Sequence, residues 1–177
     1  MPYKRVFLAL GSNIGEREVN LESAISALAR EQITVLARSS LYETEPQDVL
    51  DQPWFLNMVI ECETRCFPLQ LLAIAQRIER EFGRVRANSP RRGPRTLDID
   101  LLLYGETIMS TPQLSVPHPR LLQRRFVLEP LLEIAPELRH PETKEPLRKA
   151  LVKVKNQKVL RIAAGGANCP EAPRLPS

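Results

Sequence analysis

Thr96-Leu97-Asp98-Ile99-Asp100-Leu101-Leu102-Leu103-Tyr104 is the stretch on which the fold turns. Apolar and polar residues alternate through Leu97–Leu101, and that period of two predicts a strand over 96–104. Residues i and i+2 of a strand share a face. Asp98 and Asp100 are therefore expected to point one way, while Leu97, Ile99, Leu101 and Leu103 enter the core. Upstream lies a run of arginines (84–95, RVRANSPRRGPR). Before it, Pro68 opens a predicted helix that carries Leu71, Leu72, Ala75, Ile78 and Phe82 and stops at Gly83.

Further outward, Leu56, Met58, Ile60 and Cys62 alternate with Asn57, Val59, Glu61 and Glu63, which predicts a strand over 56–64 with one buried face. Val6–Leu10 reads as a buried strand ended by a glycine turn, and Ile33–Ser39 as another strand. Leu21, Ala24, Ile25 and Leu28 recur at helical spacing, giving a helix over 17–30. Residues 42–55 show no period and are expected to form a long loop. A last helical stretch covers 124–135, ended by Pro136. The order β-α-β-β-α-β gives a ferredoxin-like α+β sandwich, an antiparallel sheet with helices packed on it.

The chain has 177 residues, enough for one domain, expected over 1–162 with a flexible tail at 163–177. Hydrophobic residues make up 43% and charged residues 26%, which excludes a disordered or fibrous chain. No apolar run approaches the ~20 residues of a spanning helix. No export signal precedes Gly11, so a cytoplasmic protein is expected. Cys62, Cys66 and Cys169 have no redox or zinc spacing and are read as free thiols.

The net charge of +4 is concentrated in the arginine run, where Arg84, Arg86, Arg91, Arg92 and Arg95 stand without an acid. Arginine makes bidentate contacts to phosphate, so an anionic partner is expected. An isolated Asp-x-Asp usually solvates an edge strand. Beside these arginines the pair reads instead as a magnesium site, since paired carboxylates repel unless cations neutralise them. Polyphosphate held by arginine next to carboxylate-held magnesium suits phosphoryl transfer. No P-loop sequence is present, and Gly11 and Gly15 in GSNIG read either as a glycine-rich loop or as a tight turn and helix entry.

The strings LGSNIG (10–15), QPWFLNMV (52–59), GRVR (83–86), GPRTLDIDLLLYG (93–105), VPHPRL (116–121) and RRFVLEPLLEIAPEL (124–138) occur in order. Together they resemble the 6-hydroxymethyl-7,8-dihydropterin pyrophosphokinases of folate biosynthesis, over residues 4–162. A monomer is expected, although the sequence itself does not fix the oligomeric state. The resemblance implies transfer of the pyrophosphoryl group of ATP to the pterin hydroxymethyl group, with two magnesium ions held by Asp98 and Asp100. It implies that Arg84, Arg86 and Arg95 lie in a mobile loop over ATP. It also implies that His118 and Arg124 contact phosphates, that Gln76 and Glu79 border the nucleotide, and that Leu101 and Ser115 lie near adenine and ribose. For the pterin it implies Asn57 and Thr44 as polar partners, with Phe55 and Phe126 as stacking rings. Glu45, Phe55, Arg92 and Gln113 depart from residues common in the family. An RNA-binding domain or a two-metal phosphohydrolase are the competing classes. The first wants exposed aromatics on central strands, against an aromatic content of 5%. The second wants further metal ligands near Asp98.

Overall fold

A computed structural model describes residues 2–47, 50–83 and 96–162. A six-stranded antiparallel sheet runs β5 (Asp98–Tyr104), β1 (Lys4–Ser12), β4 (Phe55–Thr64), β3 (Leu41–Thr44) and β8 (Val159–Ile162), and β2 (Thr34–Arg38) also pairs with β4. The ten residues of β4 are long enough to take β3 along one half of its edge and β2 along the other. A separate two-stranded ladder joins β6 (Met109–Ser110) to β7 (Ser115–Val116).

Helices cover both faces. On the first, α1 (Arg17–Arg30) and α2 (Pro68–Glu81) bury Leu21, Leu28, Leu71 and Ile78 against Val6, Leu8, Leu10, Met58 and Ile60. On the second, α3 (Arg125–Ile134) and α4 (Arg148–Lys153) bury Val127, Leu128, Leu131 and Ala150 against Phe7, Val59, Leu102 and Leu103. Burial of this kind contributes roughly 1.5–3 kcal/mol per large apolar side chain. The α+β class and antiparallel sheet are as the sequence predicts. Gly83, with φ of +83°, stands just past the end of α2, where only glycine takes that backbone without strain.

Four expectations need correction. β4 is buried on both faces over Leu56–Ile60: Val59 packs into the core beneath α3 and α4, while Asn57, on the same side, is buried against Thr44 at the end those helices leave open. Residues 41–44 form β3 rather than the start of a loop, since Leu41–Thr44 pair with β4 on one edge and with β8 on the other. The strand expected over 33–39 stops at Arg38, where the Ser39 hydroxyl accepts the Val59 N–H at 2.9 Å. Leu103 packs with α3 and α4, opposite to Leu97, Ile99 and Leu101. The reason is a β-bulge: Phe7 opposes Leu103 and Leu8 opposes Leu101, so Leu102 is an extra residue in β5.

Glu133 fastens α3 to the sheet. Its carboxylate accepts the Ser40 N–H at 2.9 Å, the Ser40 hydroxyl at 2.5 Å, the Tyr42 hydroxyl at 2.9 Å and the Arg161 guanidinium at 3.0 Å. Burial by itself raises its pKa, but the Ser40 and Tyr42 hydrogen bonds and the Arg161 charge outweigh that and hold it below the ordinary 4.5. A depressed carboxylate binds fewer protons in the folded state, so its stabilisation is present at neutral pH and fades as pH falls below 4.5. Glu133→Gln presents an amide donor to donors and should cost about 1–3 kcal/mol at pH 7. Denaturant titrations should show the deficit shrinking at pH 3, and an unchanged deficit there would contradict this account.

Candidate active site

Register sets one row of side chains across the second face. Asp98 opposes Gly11, Gly11 opposes Asn57, and Asn57 opposes Tyr42. Directly opposed residues of antiparallel neighbours point to the same face. With strands ~4.8 Å apart, Asp98 and Asn57 stand roughly 10 Å from one another, with Gly11 between them. Asp100 occupies the next row, opposite Ala9 and Val59. The sequence therefore places an acidic pair and an amide on a single surface by strand pairing alone.

The helices of the second face leave that end of the sheet open. The resulting cleft is lined by Asp98, Asp100 and Asn57 on its floor, by Thr44 and Phe55 on one side, and by Arg124 and Phe126 from the start of α3. Glu45, Gln47 and Gln52 complete the rim. Asn57 is buried, and its amide donates to the Thr44 hydroxyl at 2.5 Å. The Arg124 guanidinium lies over the Phe126 ring at 5.4 Å, a cation–π contact that gives the ring a fixed neighbour.

Gly11 has a role that its GSNIG context disguises. It lies inside β1 rather than in the turn, and a Cβ there would sit 2.7 Å from Asn57 Oδ1 and 3.7 Å from Phe55. The missing side chain makes room for the amide. The turn expected of this motif is made by Gly15 instead, at φ +71°. Asn13 then holds the rim, donating to Gln52 Oε1 and to the Pro53 carbonyl, both at 3.0 Å.

The other residues implied by the family likeness are spread more widely. Leu101 is buried in β5 on the opposite face, and Ser115 pairs with Ser110 in the small ladder. Gln76 is half-buried on α2. Glu79, one turn on, is only 3% exposed, and its carboxylate accepts the Ile99 N–H between the two aspartates at 2.9 Å. The His118 backbone N–H donates to the Leu102 carbonyl, while its ring Nδ1 accepts the Arg120 N–H at 3.1 Å. Burial, with a smaller push from the Arg124 charge, lowers its pKa to about 4 against the partial opposition of Asp98. At neutral pH the ring is thus uncharged, with Nδ1 an acceptor and the proton on Nε2. Arg84, Arg86 and Arg95 lie outside the described residues, as does the tail at 163–177. From sequence, Gly11 is placed only in the GSNIG turn or loop, Glu45 is noted only as a departure, and Asn13, Gln47 and Gln52 are given no role. A glycine directly following the apolar run of β1 is the local sign that could flag this wall.

A sequence profile of the 7,8-dihydro-6-hydroxymethylpterin-pyrophosphokinase (HPPK) family matches residues 7–136. The chain belongs to the HPPK family. It is 44% identical over 153 residues to the 2-amino-4-hydroxy-6-hydroxymethyldihydropteridine pyrophosphokinase of Bacillus subtilis, covering 86% of this chain and 90% of that one. It is equally 44% identical to the folic acid synthesis protein fol1 of Schizosaccharomyces pombe, covering 87% of this chain but only 21% of the yeast protein. The fold is shared with Plasmodium falciparum HPPK-DHPS at a TM-score of 0.69 and 16% identity, over 86% of this chain and 42% of that one. The HPPK match spans β1 to the end of α3, so it includes every strand and helix that lines the cleft, while α4 and β8 lie beyond it.

Proposed function

We propose that this HPPK-family chain transfers the pyrophosphoryl group of ATP to the hydroxymethyl oxygen of 6-hydroxymethyl-7,8-dihydropterin, giving the pterin diphosphate and AMP. The observation that carries the assignment is the row Asp98–Gly11–Asn57, which sets an acidic pair and a recessed amide in one cleft. The amide at Asn57, ordered by Thr44, suits the polar edge of a pterin, and Phe55 and Phe126 suit its flat faces. Arg124 stands where the nucleotide's charge would meet the pterin, and neutral His118 offers an Nε2–H donor without adding a full charge.

The donor set fits magnesium. Among the described residues no group of three or more histidines, cysteines or carboxylates gathers to form an all-protein cage. Two carboxylates on one strand face, with phosphate and water supplying the other ligands, is the arrangement that magnesium favours. We assign Asp98 and Asp100 to two such ions, which when bound neutralise the phosphates and orient them. Gln76, Glu79, Leu101 and Ser115 are assigned to the nucleotide side, together with Arg84, Arg86 and Arg95. The protein's own task is alignment: Asn57, Phe55 and Phe126 hold the hydroxymethyl oxygen in line with the β-phosphorus. The working unit is a monomer of residues 1–162, and the cytoplasm supplies its ATP and keeps Cys62 and Cys66 reduced. No helix among the described residues is long and apolar enough to cross a membrane.

Phosphorus NMR of a completed reaction tests the assignment. AMP and a pterin diphosphate should appear in equal amounts. A stoichiometric ADP signal with a pterin monophosphate would mean that the γ-phosphorus is attacked.

A further inference from the structure

Behind the cleft, on the α1 face of the sheet, a second polar group has no part in the chemistry described so far. Glu43 alternates with Tyr42 and Thr44 along β3, so its side chain leaves from the opposite face, where it is 7% exposed. Arg17, the first residue of α1, meets it as a fork, Nη1 to Oε2 at 2.8 Å and Nη2 to Oε1 at 2.5 Å. The same Nη1 also donates to the Trp54 carbonyl at 3.0 Å.

Each partner is one residue from the pocket wall. Glu43 precedes Thr44, whose hydroxyl accepts the Asn57 amide, and Trp54 precedes Phe55. Thr44 and Phe55 face one another across the β3–β4 register. On the reverse face of the sheet the two walls are thus joined by the Arg17 guanidinium. A bidentate arginine–carboxylate pair fixes orientation as well as distance, which a lysine point charge does not.

We propose that Arg17 is a positioning residue for pterin binding, which clamps the Thr44 and Phe55 walls together from the reverse face of the sheet. The inference rests on the pyrophosphokinase reading. The Arg17 guanidinium bonds Glu43 and the Trp54 carbonyl, the neighbours of Thr44 and Phe55, so its effect is expected in the pterin half of the site. Loss of the fork frees Trp54 and lets Phe55 drift from Asn57, and small misplacements at a positioning wall have large effects on productive binding. The nucleotide half, built on β5, is left alone.

The test uses the full chain with Arg17→Lys, Arg17→Ala and Glu43→Gln, each checked for a cooperative melt. KM for the dihydropterin at saturating ATP should rise at least twentyfold in Arg17→Lys, while KM for ATP stays within twofold. Trp54 is the chain's only tryptophan, so acrylamide quenching of its fluorescence should increase in the same variants without substrate present. Arg17→Lys keeps the charge and supplies the reading even if Arg17→Ala does not fold. A lowered melting temperature with both KM values unchanged would reduce the pair to a stability device and overturn the proposal, as would equal losses for both substrates. If the wild-type chain does not use the pterin at all, the pyrophosphokinase reading fails instead, and the quenching measurement still reports whether Arg17 holds Trp54.

Discussion

Asp98→Asn or Asp100→Asn is expected to yield a folded protein whose turnover falls by at least a hundredfold at fixed magnesium. Both carboxylates sit half-exposed on the face of β5 that lines the cleft, so neither supports the core. Asparagine keeps the size and one acceptor oxygen but removes the negative charge that a hard divalent cation requires. Charge stabilisation by a metal at a transferring phosphoryl group is worth several kcal/mol, and each 1.4 kcal/mol is about tenfold in rate. Raising the magnesium concentration should recover part of the loss, because weakened affinity is one component of it. Steady-state rates across a magnesium titration, with circular dichroism to confirm the fold, decide the matter. Turnover within tenfold of wild type at one magnesium concentration would remove these residues from the metal site.

Gly11→Ala is expected to be nearly as damaging, although it adds only one methyl group. The new Cβ would sit 2.7 Å from Asn57 Oδ1, closer than carbon and oxygen tolerate. Either β1 moves, which its pairing with both β4 and β5 resists, or the Asn57 side chain rotates out of its bond to Thr44. The second is the cheaper response. Asn57 then meets the pterin in the wrong orientation, and an unmade hydrogen bond at a buried polar edge costs about 1–3 kcal/mol, or roughly ten- to a hundredfold in affinity. Stability should change less than pterin affinity. Calorimetric titration of the pterin in the presence of a non-hydrolysable ATP analogue reads this directly, and wild-type affinity would show that Asn57 does not hold the pterin.

What the sequence made legible, and what it hid, divides along the range of the interactions involved. Asp98 and Asp100 share a face because they are two apart on one strand, and that much is local. The helices over 17–30 and 68–81 follow from their own periodicity and end signals, so they too were readable. Gly11 beside Asn57 was not, because it depends on register between strands nearly fifty residues apart in the chain. β3 was hidden for the same reason: Leu41–Thr44 is a strand by virtue of its two partners, β4 and β8, and its own pattern says little. Gln76 and Glu79 illustrate the limit from the other side. Helical spacing correctly puts them one turn apart, but only the packing of α2 on β5 decides that Glu79 is buried against the Ile99 amide while Gln76 is not. Family strings named the cleft residues that periodicity could not, including Phe126, which pattern alone would place in the core.

The spare leucine at position 102 gives β5 an uneven tolerance of length. Asp98 and Asp100 project to the cleft side, Ile99 and Leu101 to the α1 side, and beyond the bulge Leu103 and Tyr104 resume the same two sides in turn. Removing Leu102 would therefore close the irregularity and leave each remaining side chain on the face it already occupies. Removing Ile99 would leave composition and hydropathy almost as intact, yet it would turn Asp98 through to the wrong side of the sheet, among Leu10, Leu21 and Met58. Within a few residues, one strand thus contains a place where a single-residue deletion is absorbed and another where the same deletion separates the two carboxylates by the thickness of the sheet.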